Sequence, residues 1–305
     1  MATSDKGGAA YVLGRLTSIP FANFALWVVG LMCLTALLSY LGVPFTRYTY
    51  FQTGGPILAA PSWQYPMGTD ELGRDLMTRV IYGSRLSISI GLSTALIAFL
   101  IGTTYGSIAG LACGKIDNIL MRGIDIAYSL PDLLVMILVG VLLDRQKYGT
   151  QGILIALGLI SWMGTARLVR AQFLQLQHEE FVEAARALGQ SQFLIVIKHL
   201  LPNAIGPIIV ALTFTVPSAI LSESTLSFIG LGLSPPACSW GTLAAEGFRS
   251  LRTHPHLILF PSFFIFMAVL SFNFLGDGLR DALDPTTRIA AKNAGKNANT
   301  LAVKG

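Results

Sequence analysis

Long stretches without a charged side chain alternate with short polar segments along the chain. Five such stretches are long enough to cross a lipid bilayer as helices, and they cover residues 16–46, 86–114, 148–166, 200–222 and 257–276. A sixth apolar stretch, residues 124–143, contains Asp125 near its start and Asp132 inside it. A helix rises about 1.5 Å per residue, so a span needs about 20 apolar residues. The pattern predicts an all-α polytopic membrane protein with about six transmembrane helices.

The composition agrees with a membrane protein. Of the 305 residues, 53% are hydrophobic and 12% are charged, and the mean hydropathy is +0.62. Ordinary soluble domains carry about 25% charged residues, so this composition excludes one. The lipid bilayer is therefore an expected partner, and no nucleic-acid partner is expected.

The distribution of Lys and Arg predicts the orientation. If the N-terminus is cytoplasmic, 13 of the 21 Lys and Arg fall on inner segments and 8 on outer segments. Inner loops of membrane proteins are enriched in these residues, so both termini are expected in the cytoplasm. The predicted organisation has a cytoplasmic tail (1–15), a transmembrane domain (16–285) and a basic cytoplasmic tail (286–305). Within the transmembrane domain lie an outer loop (44–85) and a cytoplasmic loop (169–203).

The end of the outer loop predicts a helix on the membrane surface. Thr69 and Asp70 are residue types that commonly begin a helix. Leu72, Leu76 and Val80 follow at every fourth position, with charged residues between them. This spacing favours an amphipathic helix that lies along the outer surface before the second span.

Small and ionisable residues distinguish the second and third spans. Gly102 and Gly106 form a GxxxG pair that Gly110 extends, which predicts close helix packing. Pro131 and Asp132 interrupt the third span near its inner side. A carboxylate at the membrane centre costs about 2.5–3.5 kcal/mol, so Asp132 is expected near an interface or facing protein partners.

The fifth span combines proline with polar residues and predicts the wall of a transport pathway. Pro217 is followed by Ser222, Glu223 and Ser224 within an otherwise apolar stretch. Proline leaves backbone carbonyls unpaired, which membranes tolerate only beside protein or a watery cavity. Glu223 is the strongest single candidate to face the pathway; the alternative is a structural role in which it binds a neighbouring helix.

A polar segment at residues 167–203 separates the fourth and fifth spans. Residues 183–188 favour a helix, and Gly189 is the residue type expected just beyond a helix end. Ser191 can cap a second helix, which is expected to end before Pro202. Since Ala184 and Ala185 give the first helix a small surface that another backbone could approach, we interpret this segment as a docking element.

The spacing in this segment resembles the cytoplasmic loop of membrane subunits in binding-protein-dependent ABC importers. Glu183, Ala184 and Ala185 are followed at the family's spacing by Gly189 and then by Leu201 and Pro202. His199 stands where the family usually has an apolar residue. The phrases SESTLSFIGLGL and FNFLGDGLRDALDP resemble the C-type subunit of oligopeptide permeases. This resemblance implies that the segment forms the coupling helix of an importer.

The resemblance also implies a set of partners. A sister membrane subunit would share the path, and two ATP-binding subunits would carry ATP and magnesium, so no cofactor is expected on this chain. The coupling residues would be Glu183, Ala184, Ala185, Arg186, Gly189 and Pro202. An extracytoplasmic solute-binding protein would contact the segment near Trp240, Glu246 and Arg249. The implied location is the bacterial inner membrane, and the favoured substrate is an oligopeptide, with dipeptide, nickel chelate and antimicrobial peptide left open.

Other functions have weaker support in the sequence. The chain has no GxxxxGK[ST] phosphate loop, so it is not itself the ATPase, and no catalytic constellation or metal site is visible. A secondary transporter or channel that works alone is the alternative; it predicts buried charge pairs and an inverted internal repeat, neither of which is evident. A membrane enzyme ranks lower still.

Overall fold

The computed structural model describes residues 6–112, 114–143 and 145–283, and its helices account for most of them. Within this part of the chain the β-structure is limited to an isolated bridge between Thr69 and Asp75. The helices are α1 (Lys6–Ser18), α2 (Pro20–Tyr40), α3 (Leu76–Ala112), α4 (Gly114–Tyr128), α5 (Asp132–Leu142), α6 (Arg145–Leu176), α7 (Glu180–Ala187), α8 (Gln192–Ile195), a π-helix (Val196–Leu200), α9 (Leu201–Phe228), α10 (Trp240–Arg249) and α11 (His256–Leu283).

Five of the helices are long and apolar enough to cross a membrane, which agrees with the predicted all-α membrane fold. They cover Pro20–Tyr40, Leu76–Ala112, Lys147–Leu176, Gln192–Phe228 and His256–Leu283. The sixth predicted span is not one helix, because α4 and α5 meet at an angle of 79°. Pro131 directly precedes α5; its ring excludes helical geometry at the preceding residue and its nitrogen donates no hydrogen bond.

The N-terminal segment differs from the prediction of a loose tail. Residues 6–18 form α1, and Leu16 on this helix is buried against Ala22 of α2 and Ala282 of α11. Apolar packing of this kind stabilises a helix that its local sequence alone would leave marginal. The predicted basic tail, residues 286–305, lies outside the described residues, as do residues 1–5.

The predicted surface helix before the second span is wrong. Residues 69–75 form a loop, in which the Asp70 carboxylate accepts hydrogen bonds from the backbone N–H groups of Leu72 and Arg74, each at 2.9 Å. The helix begins at Leu76, where the Asp75 carboxylate accepts from the Thr78 N–H at 2.9 Å. From there α3 continues without interruption into the span. An aspartate cap five residues later than Asp70 therefore places the start of the helix at the transmembrane helix itself, and no separate surface helix forms.

Close packing of α3 against α6 confirms the role predicted for the glycines. A methyl group placed on Gly102 would lie 2.7 Å from the Thr165 Cβ atom, and one on Gly110 would lie 2.8 Å from the Phe173 Cβ atom. A methyl group placed on Gly106 would likewise collide with the Ala166 carbonyl. The two backbones approach to a distance that no larger side chain permits.

A π-helical turn marks the start of the fifth span. The second helix of the polar segment was expected to end before Pro202, yet helical structure runs from Gln192 through to Phe228. Proline at position 202 has no N–H and its ring crowds the carbonyl four residues earlier. The turn Val196–Leu200, shortly before the proline, is a π-helical turn, in which the hydrogen bonds join residues five apart instead of four. This wider turn accommodates the missing N–H group and the crowded carbonyl.

Helix α10 closes one end of the bundle, with Trp240 at its centre. The Trp240 indole is fully buried, and its Nε1–H donates to the Val80 carbonyl at 3.0 Å. The Trp240 backbone N–H donates to the Ser87 hydroxyl at 3.0 Å. A core of residues from α2, α3, α9 and α11 surrounds this side chain. We refer below to this end of the bundle as the α10 end, and to the opposite one as the α7 end.

The Gly102 contact yields a test of the packing. In the substitution Gly102→Ala the added methyl group meets backbone and Cβ atoms of α6, so we expect a loss of about 1–3 kcal/mol of stability. Thermal unfolding of the purified protein in detergent measures this loss. Gly30→Ala in α2 is the matched control, because a methyl group there meets nothing within 4 Å. Equal melting temperatures for the two variants would contradict the close approach.

Candidate functional site

Helix α7 is a short, well-terminated helix that projects from the bundle between α6 and α8. Its end forms a Schellman motif: the Gly189 N–H donates to the Arg186 carbonyl at 2.9 Å, and the Gln190 N–H donates to the Ala185 carbonyl at 3.1 Å. Gly189 has φ +73°, the left-handed conformation that favours glycine. The Ser191 hydroxyl then accepts from the Leu194 N–H and caps α8. The expected helix end and cap are both confirmed.

The outer side of α7 and α8 presents a mixed polar and apolar surface. We call it the docking surface, and it consists of Glu183, Ala184, Arg186, Leu188 and Phe193, all of which are exposed. Leu188 is 80% exposed and Phe193 is 74% exposed. Large apolar side chains that are this exposed in a polar segment are typical of a protein contact. The prediction had not included Leu188 or Phe193, although both stand beside the motif in the sequence.

Ala185 does not belong to this surface, which corrects the prediction for the alanine pair. Its side chain is buried together with Val182, one turn earlier on the same face of α7. Both pack into a core that joins the end of α6 to the start of α9, formed by Val169, Phe173, Ile195, Leu200, Ala204 and Ile208. Helix α7 is therefore joined to these two helices through one core. Pro202 is exposed beside this core, at the first turn of α9.

Two ion pairs attach α4 to α6 at the α7 end. The Arg170 guanidinium binds the Asp117 carboxylate through two hydrogen bonds of 2.5 and 2.6 Å. Arg167 donates to Asp125 at 2.6 Å and its guanidinium lies 4.6 Å from the centre of the Tyr128 ring. A bidentate arginine–carboxylate pair fixes the relative orientation of the two helices. The sequence contained all four charges, but their pairing depends on how α4 folds back on α6.

A cleft of about 320 Å³ opens between α3, α6, α9 and the break that separates α4 from α5. Its polar lining consists of Thr94, Tyr128, Asp132, Ser161, Thr215, Ser218 and Ser222. Met136, Leu157 and Phe214 are among its apolar lining. Ser222 is the one predicted pathway residue that lines this cleft. Asp132 lies in it as well, at the first residue of α5, so it faces protein as expected.

Glu223, Pro217 and Ser224 are buried within the chain and do not line the cleft. The Glu223 carboxylate points towards α10, where its Oε1 atom accepts hydrogen bonds from Ser239 at 2.6 Å and from Ser227 at 2.8 Å. Ser239 in turn caps α10. The structural alternative for Glu223 therefore holds: it ties the end of α9 to the start of α10.

The predicted binding-protein contact also needs correction at Trp240. This residue is fully buried, so its side chain offers no surface to a partner. Arg249 and Phe248, at the end of the same helix, are exposed. Glu246 is half-buried, because it joins an ion cluster that holds α10 to the loop before α3.

The ion cluster centres on Arg79, whose side chain is only 1% exposed. Its Nη1 atom lies 2.6 Å from both the Asp70 and the Glu246 carboxylates. Arg74 binds the same Asp70 carboxylate at 2.6 Å. The neighbouring Cys238 thiol donates to the Arg79 carbonyl, and burial raises its pKa to about 11, so it remains protonated at neutral pH. Asp70, which was predicted to start a helix, is in fact the bridge of this cluster.

Comparison with known proteins places these features in a family. Residues 102–289 match the family model described as "Binding-protein-dependent transport system inner membrane component". This match covers more than half of the chain. The chain belongs to this family.

Curated relatives of this permease agree with the assignment. It is 49% identical over 229 residues to the dipeptide transport system permease protein DppC of Bacillus subtilis, covering 75% of this chain and 71% of that relative. It is 42% identical over 277 residues to the oligopeptide transport system permease protein OppC of the same organism, covering 90% and 88%. The OppC protein of Escherichia coli K12 is 41% identical over 260 residues, covering 84% and 85%.

A solved structure shares the fold of the permease. The comparison with the MetNI methionine ABC transporter in inward-facing conformations gives a TM-score of 0.57 at 19% identity, over 68% of this chain and 98% of that chain. At this identity the likeness concerns the fold alone. Together the family and the fold confirm a polytopic permease subunit of an ABC importer, a transport component and not an enzyme.

The ion cluster at the α10 end provides a stability test. Arg79→Ala leaves the Asp70 carboxylate without its most buried partner, and we expect a loss of about 3 kcal/mol, at the low end for a broken buried pair because the Glu246 side chain is 39% exposed. Thermal unfolding of the purified permease measures the change. Glu71→Ala is the control, since Glu71 is exposed and only accepts a hydrogen bond from Ser250. A shift no larger than that of the control would show that the cluster contributes little.

Proposed function

We propose that this permease, together with a sister membrane subunit, forms the path by which a bacterial binding-protein-dependent ABC importer takes up peptides. The observation that carries the proposal is the docking surface, whose helix is packed between α6 and α9, two of the helices that line the cleft. The names of the curated relatives, which are dipeptide and oligopeptide permeases, support peptides as the substrate class. Oligopeptides are favoured, and dipeptides are the second candidate.

The proposed assembly contains two ATP-binding subunits, one of which contacts the docking surface of this chain. ATP and magnesium are bound by these subunits, and the permease itself carries no cofactor. The exposed Leu188 and Phe193 would enter an apolar cleft of the ATP-binding subunit, while Glu183 and Arg186 would form polar contacts at its rim. A solute-binding protein would deliver peptide to the α10 end.

In the membrane, the docking surface lies on the cytoplasmic side and α10 on the outer side. The excess of Lys and Arg on the inner segments supports this orientation, with both termini in the cytoplasm. The protein is proposed to reside in the bacterial inner membrane, a location that agrees with the description of its family.

The proposed mechanism is alternating access. When the ATP-binding subunits close, they push α7, and the core that includes Val182 and Ala185 transmits this push to α6 and α9. These helices border the cleft, so their displacement changes the side from which it is accessible. ATP acts by shifting the population between two packings of the bundle, through its different affinity for the two states.

Affinity purification in mild detergent followed by mass spectrometry tests the assembly. The expected result is recovery of a second permease subunit and of ATP-binding subunits, and uptake of labelled peptide once the complex is reconstituted with its binding protein. A homo-oligomer that transports without ATP would overturn the proposal in favour of a secondary transporter.

The Gly189 position tests coupling. Valine at φ +73° imposes strain of about 1–3 kcal/mol, so Gly189→Val is expected to deform the end of α7. We expect ATP hydrolysis by the complex to persist while peptide uptake falls. Gly189→Asn is the matched control, because asparagine tolerates the left-handed conformation and a new side chain meets nothing within 4 Å. If Gly189→Val retained the wild-type ratio of uptake to hydrolysis, the rigid push through α7 would be refuted.

The exposed end of α10 tests the contact with the binding protein. Arg249→Glu reverses a charge that has no role in the ion cluster, and we expect association with the binding protein to slow by about threefold, more at low salt than at high salt. Surface plasmon resonance with the immobilised complex measures this rate. Lys147→Glu, an exposed charge at the start of α6, is the control. Identical association rates for both variants and the wild type would exclude Arg249 from the contact. Glu246 is not used for this test, because its substitution would also disrupt the ion cluster.

A further inference from the structure

The cleft between α3, α5, α6 and α9 contains a carboxylate without a counterion. Asp132 is exposed in the cleft wall, and among residues 6–112, 114–143 and 145–283 no Lys, Arg or His forms an ion pair with it. The lining of the cleft includes no Lys or Arg. Arg167, whose guanidinium lies over the Tyr128 ring, is bound to Asp125 instead. The negative charge of Asp132 is therefore available to a cation that enters the cleft.

The cleft extends from the break before α5 into the bundle. Thr94 is the central residue of the 37-residue helix α3, and Ser161 lies at the middle of α6. Both line the cleft together with Asp132, which is the first residue of α5. Ionisable side chains within membrane-spanning segments are costly and occur where a partner or a ligand binds them.

Two hydroxyl groups in the same cleft also have no partner. The Thr94 Oγ1 and Ser161 Oγ atoms are buried, and within the described part of the chain neither forms a hydrogen bond. Thr94 as a whole is only 1% exposed. A buried polar group without a partner is unfavourable and commonly marks a place where a polar ligand or an ordered water completes the bonding. Both oxygens are covered by neighbouring atoms, so the group that the cleft offers directly to a charged guest is the Asp132 carboxylate.

The cleft also has an apolar lining. Met136, Leu157 and Phe214 contribute to it, and the cleft volume of about 320 Å³ accommodates one or two amino-acid residues rather than a whole oligopeptide. An ammonium group requires an acceptor with a negative charge and neutral oxygens around it, and the attached carbon chain requires an apolar wall. This combination fits the end of a chain that carries a protonated amine.

We propose that Asp132 is a specificity-determining residue that binds an ammonium group of the peptide as it passes through the permease. The inference rests on the proposed function of peptide import and adds the chemistry that the pathway recognises. The ammonium can be the peptide's own α-amino group or a lysine side chain. Both have the same charge and the same hydrogen-bond donors.

The test compares Asp132→Asn with the wild type in the reconstituted complex with its binding protein, using three labelled tripeptides. Ala-Lys-Ala carries two ammonium groups, Ala-Ala-Ala carries one, and Ala-Glu-Ala adds a carboxylate. For each peptide the measured quantity is the ratio of the variant's uptake rate to the wild-type rate, so that the preference of the binding protein cancels. We expect this ratio to fall about tenfold for Ala-Lys-Ala, less for Ala-Ala-Ala and least for Ala-Glu-Ala.

Two further variants separate recognition from structure. Asp132→Glu keeps the charge and is expected to retain the wild-type order of the three peptides. Thr94→Val removes a hydroxyl from the same cleft without changing its charge, so it should lower uptake of all three peptides by the same factor. With Asp132→Asn, an equal loss for all three peptides that extends to the N-acetylated form of Ala-Ala-Ala, which carries no ammonium group, would overturn the proposal, since a purely structural residue gives that result. Loss of the sister subunit on purification of Asp132→Asn would also overturn it, because Asp132 would then be an interface residue.

A fourth peptide identifies the ammonium group. If Ala-Lys-Ala with an acetylated lysine side chain shows the same ratio as Ala-Ala-Ala, the lysine ammonium is one of the groups that Asp132 binds. If its ratio equals that of unmodified Ala-Lys-Ala, the site binds the α-amino group alone. Failure of the wild-type complex to import any of these peptides would refute peptide import itself, and is distinguishable from failure of the Asp132 assignment.

Discussion

The fold of this permease depends on one constraint: the hydrocarbon interior of a membrane provides no hydrogen-bond partner for the backbone. Helices satisfy their own N–H and C=O groups, and irregular backbone is tolerated only beside protein or a polar cavity. The two main irregularities here follow that constraint. The break between α4 and α5 adjoins the cleft, and the π-helical turn at Val196–Leu200 adjoins the core beneath the docking surface. Both are associated with proline, and each lies where the cleft or packed protein adjoins the irregular backbone.

Charges are distributed by the same logic. At the α7 end Arg170 pairs with Asp117, and at the α10 end Arg79 joins Asp70 and Glu246. Both clusters lie at helix ends and connect elements that are distant in sequence. Glu223 is buried near the end of α9, where it accepts hydrogen bonds from the Ser227 and Ser239 hydroxyl groups. Asp132 is the contrast, because it stands in the cleft wall with no such partner in the described residues. The paired charges therefore hold elements of the bundle together, whereas the Asp132 carboxylate is available to a ligand in the cleft.

Helix α7, which carries the docking surface, has two distinct sides. Within one turn and a half of helix, Glu183, Ala184 and Arg186 face outward while Val182 and Ala185 face inward. The inward side chains share a core with both α6 and α9. The left-handed Gly189 ends the helix abruptly, so that the chain can turn into α8 at once. The outward residues are exposed, and the inward residues belong to the core that joins these two helices.

Local patterns allowed several features to be predicted from single stretches. The apolar runs predicted the spans, the glycine spacing in α3 predicted its close contact with α6, and Gly189 and Ser191 predicted the end of α7 and the start of α8. Where prediction was wrong, a distant or later residue decided the outcome. Asp75, rather than Asp70, begins α3, and the helix after Ser191 passes Pro202 because a widened turn absorbs the proline.

The sequence by itself determined that the chain is a bundle of membrane helices and that residues 167–203 form a polar segment with a helix end at Gly189, because hydropathy and helix termination depend on neighbouring residues. Only the tertiary structure decided which polar residues face the cleft. Ser222 and Glu223 are adjacent in the chain, yet one lines the cleft and the other is buried towards α10. Trp240, whose residue type suits an interface, lies at the centre of the core. The rotation of each helix about its axis is set by contacts with helices far away in sequence, and no local pattern encodes it.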